Sequence, residues 1–534
     1  MIKQKMRQID RKYFNAIVYR SIGKIKKFKK KEKVFNNQFE EYIYNPEVRK
    51  ELEYVDPKRV SSSGRLDIMV RYLLFKEMIY GNVSDQILSL YSRTILSRSG
   101  AIEIPDYYSP GEKNGIQKHL ESAKELLESI KNNGFEEQYY VPIGKDFGLY
   151  NGAHRMASAM ALNEKVWIRI LGEQGIKDMD IQWFKNNGFS LEDQMRILRA
   201  FADIHDDCGI FVLYGTAEEH WGYMLKQIEK SFVIVGDIEL DFSNDYVAFE
   251  NLIHDIYMDY DESSVIERKV ELLKFARLAV RIVLVSDERN PDKDLYEEII
   301  KVKKNIRNKL QFDYSDDAFV TLHASDSKAE FKELKQVVLS VNNLNYLHMR
   351  ISRVVRKEFV LWINEFKEFC RNNGINIQDT CIVGSSPLEV LGIRESTDID
   401  IVVSPELRNR FGDGVTHLTE TLDIATRNYV RNYDSVKVYD EQLIYDDNQH
   451  FIFMGCKFAN VDSVKYRKSH SDRDKDIKDV RRIEIFEEYY KFFDKKKILQ
   501  EQIEIELRRR GLKVENKSMN NRLSRKKYKL FKRG

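Results

Sequence analysis

The chain contains the stretch Thr380-Cys-Ile-Val-Gly-Ser-Ser-Pro-Leu-Glu-Val-Leu391 and, after six further residues, Asp398-Ile-Asp-Ile-Val-Val403. Short apolar runs bounded by glycine, serine and proline are typical of buried strands, so this region predicts a strand, a turn with a short helix, and a second strand. Gly384 and Ser385 end the first strand and begin the helix, where backbone N–H groups and a hydroxyl can contact a phosphate. The stretch therefore predicts an α/β domain with a phosphate site.

Two carboxylates begin the second of these strands. Because side chains alternate along a strand, Asp398 and Asp400 are expected on one face, about 7 Å apart. Oxygen ligands of this kind are the ones that Mg²⁺ prefers. The pair is thus a candidate catalytic and metal-binding site, and the alternative is a surface Asp-x-Asp beside an ordinary capped helix.

A Gly-Ser turn followed by an Asp-x-Asp strand resembles the nucleotidyltransferase superfamily of DNA polymerase beta and the minimal aminoglycoside-type enzymes. Arg394, upstream of the aspartates, and the run Arg473-Asp-Lys-Asp-Ile-Lys-Asp-Val480 also resemble the family pattern. The resemblance covers residues 351–485. It implies Mg²⁺ bound by Asp398 and Asp400, and a nucleoside triphosphate bound by Gly384, Ser385, Arg394 and Lys475.

Members of this superfamily usually carry a third carboxylate on a later strand, as a base or a metal ligand. Asp434, Asp440 and Asp446 are the candidates, because each lies on or near a strand-like run. If none of them lies beside the aspartate pair, the domain would bind a nucleotide without turning it over.

A second motif lies near the front of the chain. The predicted order is a strand at 139–143, a turn, a strand that resumes at Leu149-Tyr150, a helix that begins at Gly152-Ala-His-Arg155, and a strand at 166–170. This order resembles the ParB/sulfiredoxin-like fold. Gly152 permits a tight turn, and His154 and Arg155 at a helix N-terminus can bind a phosphate or carboxylate. The family commonly has aspartate where this chain has Asn151, which weakens any expectation of nuclease or kinase chemistry. The alternative is a purely structural helix cap.

The order of these parts is similar to that of proteins from capsule and lipopolysaccharide loci, where a helical segment like 65–98 precedes such a domain. The sequence predicts a mixed α/β (α+β) multidomain protein, whose middle block alternates apolar strands with helices. The expected parts are a basic segment 1–33, a helical and ParB/sulfiredoxin-like domain 34–175, a middle α/β domain 176–350, a nucleotidyltransferase-like domain 351–490, and a basic tail 491–534.

Composition excludes several classes of protein. Of the 534 residues, 42% are hydrophobic and 32% charged, which is globular rather than disordered composition. No apolar run reaches 18 residues, and the start of the chain lacks the apolar core of a signal peptide. Four scattered cysteines without metal-site spacing favour a reduced, cytoplasmic protein.

The charge is distributed unevenly. Residues 1–33 and 508–534 each carry a net charge of +11 and the whole chain +3, which leaves −19 for residues 34–507. Apolar and aromatic residues interleave with the basic ones at both ends, as in a segment that lies on an anionic membrane surface. Solvated tails and nucleic-acid binding are the alternatives.

These observations favour an Mg²⁺-dependent nucleotidyltransferase that moves a nucleoside monophosphate group from a nucleoside triphosphate to a sugar, polyol or phosphosugar acceptor. The context would be bacterial surface polysaccharide biosynthesis, with the basic ends holding the enzyme at the inner face of the membrane. One alternative is a nucleic-acid-associated nucleotidyltransferase acting on tRNA or in phage defence, against which the acidic body argues. The other is a non-catalytic scaffold that senses nucleotides.

Overall fold

The computed structural model describes most of the chain between residues 52 and 489. The described ranges are 52–81, 83–99, 115–171, 174–205, 207–257, 263–274, 276–288, 294–310, 320–350, 355–411, 415–425 and 440–489. Both basic ends and Asp434 lie outside these ranges. None of the helices in the described ranges is both long enough and apolar enough to cross a membrane.

The fold is mixed α/β, as the sequence predicts. The helices are α1 (Asp67–Ile79), α2 (Asp85–Ser99), α3 (Gly115–Asn133), α4 (Ala153–Leu162), α5 (Ile181–Asn186), α6 (Leu191–Ile204), α7 (Trp221–Ser231), α8 (Tyr246–Ile256), α9 (Ser263–Leu273), α10 (Leu295–Lys309), α11 (Lys328–Val338), α12 (Val341–Met349), α13 (Lys357–Asn372), α14 (Ser386–Val390), α15 (Pro405–Phe411), α16 (Asp440–Tyr445), α17 (Val461–Ser469) and α18 (474–489). The strands are β1 (Leu52–Val55), β2 (Val141–Gly144), β3 (Val166–Leu171), β4 (Cys208–Tyr214), β5 (Val233–Asp241), β6 (Ala279–Ser286), β7 (Leu322–Ala324), β8 (Thr380–Val383), β9 (Ile399–Val403), β10 (Val415–His417), β11 (Leu422–Ala425), β12 (His450–Phe453) and β13 (Cys456–Ala459). Short 3-10 helices lie at Pro57–Val60, Glu137–Tyr139, Gly215–His220 and Ile377–Asp379.

The chain divides into two compact units that alternate along the sequence. The first comprises Met1–Phe211, Tyr223–Ile238 and Val283–Val302, and the second comprises Val212–Gly222, Glu239–Ile282 and Lys303–Gly534. A four-stranded sheet in the middle of the sequence has the order β5-β6-β4-β7. Strands β4, β5 and β6 contribute residues to both units, so this division does not follow the order of the sequence.

In the first unit a three-stranded sheet has the order β1-β3-β2. β2 and β3 are parallel and are joined through α4, as a parallel pair requires a crossover. Gly152 caps α4 in the left-handed region, with φ of 91°, which glycine adopts without steric cost. The sequence predicts a strand, a turn, a second strand, a helix and a third strand in this order. The structure has all of them except the second strand, since Leu149 forms only an isolated bridge to Ile143.

Several predicted helices are interrupted. The helix expected over 65–98 is two helices, α1 and α2, because Gly81 adopts a φ of 87° after α1. The sequence of residues 326–347 also predicts one helix, which the structure divides into α11 and α12. The Ser340 side chain caps the second helix by accepting a hydrogen bond from the Asn343 N–H. Hydrophobic periodicity continues across such breaks, which is why it did not reveal them.

In the C-terminal part of the second unit a six-stranded mixed sheet has the order β10-β11-β9-β8-β13-β12. β8 is antiparallel to β9 but parallel to β13, and β11 is parallel to β9. Ile399 and Ile401 of β9 are fully buried, and each such side chain contributes about 2 kcal/mol to stability. This packing fixes the direction of the residues that alternate with them, including Asp400.

Candidate functional site

The turn after β8 is shaped around one carboxylate. Gly384 follows the strand with a φ of 70°, in the left-handed region that favours glycine. A Cβ atom at this position would collide with Oδ2 of Asp400. Asp400 is close because it pairs with Val383, the residue before Gly384, where β9 lies beside β8. Glycine is therefore required here for two reasons, the backbone conformation and the close approach of Asp400.

A third aspartate lies directly beside Asp400. β11 runs parallel to β9, and their register pairs Asp423 with Asp400, while the flanking Leu422 and Ile424 are buried. In-register residues of neighbouring strands point to the same face of a sheet, with the strands about 4.8 Å apart. Asp423 therefore lies beside Asp400 and is a further candidate for a third carboxylate.

Of the three candidates named from the sequence, only Asp446 has a described side chain, and it does not lie beside Asp400 on the sheet. Asp446 lies in the turn between α16 and β12, where its Oδ1 accepts a hydrogen bond from the Asn448 N–H at 3.0 Å. Asp440 begins α16, and Asp434 lies outside the described residues. The prediction missed Asp423 because no strand was expected at 415–425. The signal was present in Thr421-Leu-Asp-Ile-Ala425, which repeats the apolar–Asp–apolar pattern of β9.

The aspartates repel one another electrostatically. Burial, followed by the carboxylate of Asp398, raises the pKa of Asp400, and Asp423 raises it further. Arg467 and Lys475 lower the same pKa, so both cations lie close enough to act on this carboxylate. Lys475 was predicted as a nucleotide-binding residue, whereas Arg467, exposed on α17, was not identified from the sequence.

Two serine hydroxyls fix the backbone of Asp398 through hydrogen bonds to its carbonyl oxygen. The hydroxyls of Ser386 and Ser396 donate hydrogen bonds to the Asp398 carbonyl oxygen at 2.9 and 2.7 Å. The Ser385 hydroxyl lies 2.8 Å from that of Ser396, so the predicted phosphate-binding serine is part of this network. Asp398 itself is half-buried, and its carboxylate acts electrostatically on that of Asp400.

The loop before Asp398 is fixed by a further ion pair. Arg356 donates two hydrogen bonds to the buried carboxylate of Glu389, at 2.9 and 2.8 Å. Glu389 in turn accepts a hydrogen bond from the Ser396 N–H at 2.6 Å. Such paired, hydrogen-bonded charges give the loop a single geometry, which positions the aspartate strand that follows.

Arg394 takes part in an ion-pair network rather than facing solvent alone. Its Nε and Nη2 donate to the two carboxylate oxygens of Asp479 at 2.7 and 2.9 Å. Lys468 also contacts Asp479, and hydrogen bonds from both cations hold the pKa of this buried carboxyl below its usual range. This places Arg394 between the aspartate loop and α18. A structural role therefore explains its position, although the sequence suggested nucleotide contact.

The oxygen donors of Asp398, Asp400 and Asp423 fit the chemistry of Mg²⁺. Within the described ranges, the only group of three ligand-type side chains whose ligand atoms all lie within 4.8 Å of one another is Glu250, His254 and Glu267, which stands elsewhere in the unit. The ligand atoms of the three aspartates are therefore not all within this distance of one another. Because the carboxylates repel, as the raised pKa of Asp400 indicates, a divalent ion would lower the energy of drawing them together.

The Gly-x-His-Arg motif of the first unit is used for structure. Arg155 donates hydrogen bonds to the backbone carbonyls of Tyr139 and Tyr140, just before β2. His154 Nε2 lies 2.7 Å from the hydroxyl of Tyr91, and its ring packs edge-on against that of Phe75. These contacts tie α4 to its neighbours, and they account for both residues without a ligand.

Neither the models of known protein families nor the curated proteins give a match to this chain.

Proposed function

We propose that the C-terminal part of the second unit catalyses Mg²⁺-dependent nucleotidyl transfer. The single observation that carries the proposal is the in-register pairing of Asp423 with Asp400 beside the Gly384 turn. The pairing supports Asp423 as the third carboxylate, and the lack of such a group would have favoured a non-catalytic nucleotide sensor. The proposed reaction joins a nucleoside monophosphate group to an acceptor and releases pyrophosphate.

Each residue has a role in this proposal. Asp398 and Asp400 would hold Mg²⁺ through carboxylate oxygens. When bound, the ion would neutralise the charge that develops on the triphosphate as pyrophosphate leaves. Arg467 and Lys475, which already act on Asp400, would compensate the remaining negative charge of the triphosphate.

Asp423 would act as the general base. His417 Nδ1 lies 2.7 Å from Asp423 Oδ1, and the imidazole is 76% exposed. Asp423 would take a proton from the acceptor hydroxyl, and the exposed imidazole of His417 would pass that proton on to solvent. The acceptor oxygen then forms a bond to the α-phosphorus while the bond to the pyrophosphate oxygen breaks.

We further propose that the acceptor is a sugar, polyol or phosphosugar of a bacterial surface polysaccharide. This choice rests on the resemblance of the chain's layout to capsule and lipopolysaccharide proteins. The net charge of +11 at each end would attract the enzyme to an anionic membrane. Removal of both ends should abolish binding to vesicles that contain anionic lipid, and unchanged binding would refute this part.

The test of the site is nucleotide binding by the full chain, with ATP, CTP, GTP and UTP in turn, with Mg²⁺ or with EDTA. We expect one nucleotide to bind with Mg²⁺, and Asp400→Asn and Asp423→Asn to weaken its binding at least tenfold. Asp446→Asn is the matched control, because this half-buried aspartate accepts hydrogen bonds from Asn448 within its own turn. Binding that Asp400→Asn leaves unchanged would refute the assignment.

A further inference from the structure

A buried group of charged side chains in the first unit surrounds a single carboxylate. Asp67, at the start of α1, is fully buried. Arg65 donates to it at 2.8 and 3.0 Å, Arg71 at 2.9 Å and Arg98 at 3.4 Å. Arg65, Asp67, Arg71 and Arg98 are called the arginine cluster below. In this cluster three guanidinium groups contact one carboxylate, whereas an ordinary buried ion pair consists of one cation and one anion.

The formal charge of the arginine cluster is +2. Arg65 and Arg71 are 2% and 4% exposed, so two of its three cations lie away from water. Asp178 also acts on Arg65, but it is exposed, and solvent screens its charge. Arg98 is 37% exposed, so the buried part of the cluster, formed by Arg65, Arg71 and Asp67, carries +1. Uncompensated buried charge costs several kcal/mol per ion, so this buried excess is expensive unless an anion joins it.

Two hydrogen-bond donors of this region have no acceptor among the described residues. They are Nε of Arg71 and the hydroxyl of Ser62, a residue that is 5% exposed. Ser62 lies in the same turn as Arg65, whose N–H donates to the Ser62 carbonyl oxygen at 3.0 Å. Buried donors are nearly always satisfied in native proteins, so both groups can donate to the oxygens of a bound anion.

The surroundings of Arg71 also favour an anion. Burial lowers the pKa of its guanidinium, and the nearby Arg98 lowers it as well. Tyr91 acts on the same group, and its hydroxyl lies 2.7 Å from His154 in the first turn of α4. The positive end of that helix dipole therefore adds to the positive charge of the region.

We propose that the arginine cluster is a binding site for the phosphoryl group of a small phosphorylated ligand. A phosphomonoester carries a charge of about −1.5 to −2 at neutral pH, which matches the excess of the cluster, and guanidinium groups bind its oxygens in pairs. Arg98, whose side chain is 37% exposed and contacts Asp67 only at 3.4 Å, can turn toward such a ligand from solvent. This site is independent of the proposed nucleotidyl transfer, since its residues belong to the other unit.

The experiment measures the melting temperature of the full chain during titration with inorganic phosphate, with ionic strength kept constant by chloride. We expect a saturable rise of about 3 °C in the wild type. Arg98→Gln should weaken the apparent affinity at least tenfold. Arg93→Gln is the matched control, because Arg93 lies on the same helix with 39% exposure but pairs with Asp193.

A rise that Arg93→Gln retains and Arg98→Gln loses supports the site. A second titration with glucose 6-phosphate distinguishes the source, since tighter binding than that of phosphate assigns a phosphomonoester rather than the free ion. No saturable rise with either probe in the wild type would overturn the proposal. An equal rise in all three proteins would also overturn it, because the effect would then be that of a general anion.

Discussion

Replacing Asp400 by asparagine should stabilise the protein in the absence of metal. Asp400 and Asp423 lie in register on neighbouring strands, so their carboxylates are expected about 5 Å apart. At an effective dielectric constant of about 20, two such charges repel by about 3 kcal/mol. Since Asp423 is 21% exposed and Asp400 only half-buried, solvent reduces this to about 1–2 kcal/mol.

The pH dependence follows from the direction of the pKa shift. The pKa of Asp400 is raised in the folded protein, so the folded state retains a proton that the unfolded state releases near pH 4. The favourable contribution is complete below that pH and is lost as the pH rises through the raised pKa. Asp400→Asn removes the carboxylate that titrates. The variant should therefore exceed the wild type in stability at pH 7.5 but not at pH 3.5.

The assay is thermal unfolding at pH 3.5 and 7.5, with EDTA or with 10 mM Mg²⁺, for the wild type, Asp400→Asn and the control Asp446→Asn. At pH 7.5 with EDTA, Asp400→Asn should melt about 2–4 °C above the wild type, and the control should not. Mg²⁺ should raise the melting temperature of the wild type and leave that of Asp400→Asn unchanged. A lower melting temperature for Asp400→Asn in EDTA would refute the reasoning about repulsion.

Three further changes have defined outcomes. Gly384→Ala should lower the free energy of unfolding by about 1–3 kcal/mol and abolish stabilisation by Mg²⁺. The control Gly374→Ala also has a positive φ, but no atom lies within 4 Å of its new Cβ, so it should cost only about 1 kcal/mol. Equal melting temperatures and equal Mg²⁺ responses for the two variants would contradict the contact between Gly384 and the aspartate. Arg394→Ala should lower the free energy of unfolding by about 1–3 kcal/mol, because the buried carboxylate of Asp479 loses its arginine partner. Nucleotide affinity, measured well below the melting temperature, should stay within twofold of the wild type. A loss of affinity without a loss of stability would instead assign Arg394 to nucleotide binding. Burial raises the pKa of Asp255 to about 6, because its effect outweighs that of the arginine partner. Stability should therefore fall as the pH rises from about 4 through 6, and Asp255→Asn should flatten this dependence in melting curves recorded across that range. An unchanged slope in the variant would assign the titration to another group.

Much of the C-terminal fold could be predicted because local signals there agree with one another. β8 is found at the residues expected for it, and β9 begins one residue after the expected start. Glycine, proline and β-branched runs specify such strands and turns within a few residues of sequence. The same reasoning gave the short helix after the Gly-Ser turn, which the structure has at Ser386–Val390.

The rest of the candidate site depends on contacts between residues distant in sequence. Asp423 joins Asp400 only because β11 pairs with β9, and no local pattern specifies which strands become neighbours. The engagement of Arg394 by Asp479 spans 85 residues and depends on where α18 packs. The arginine cluster likewise combines Asp67 with Arg98, whose charge alone gave no indication that it approaches a buried carboxylate.

Pyrophosphate release by the full chain tests the central claim most directly. The reaction would contain Mg²⁺, each nucleoside triphosphate in turn and a panel of sugar, polyol and phosphosugar acceptors, with wild type, Asp423→Asn and Asp446→Asn compared at equal concentration. The account predicts acceptor-dependent release with one nucleotide, reduced at least a hundredfold in Asp423→Asn and unchanged in Asp446→Asn. Release that Asp423→Asn sustains at the wild-type rate would contradict the assignment of this residue as the third carboxylate.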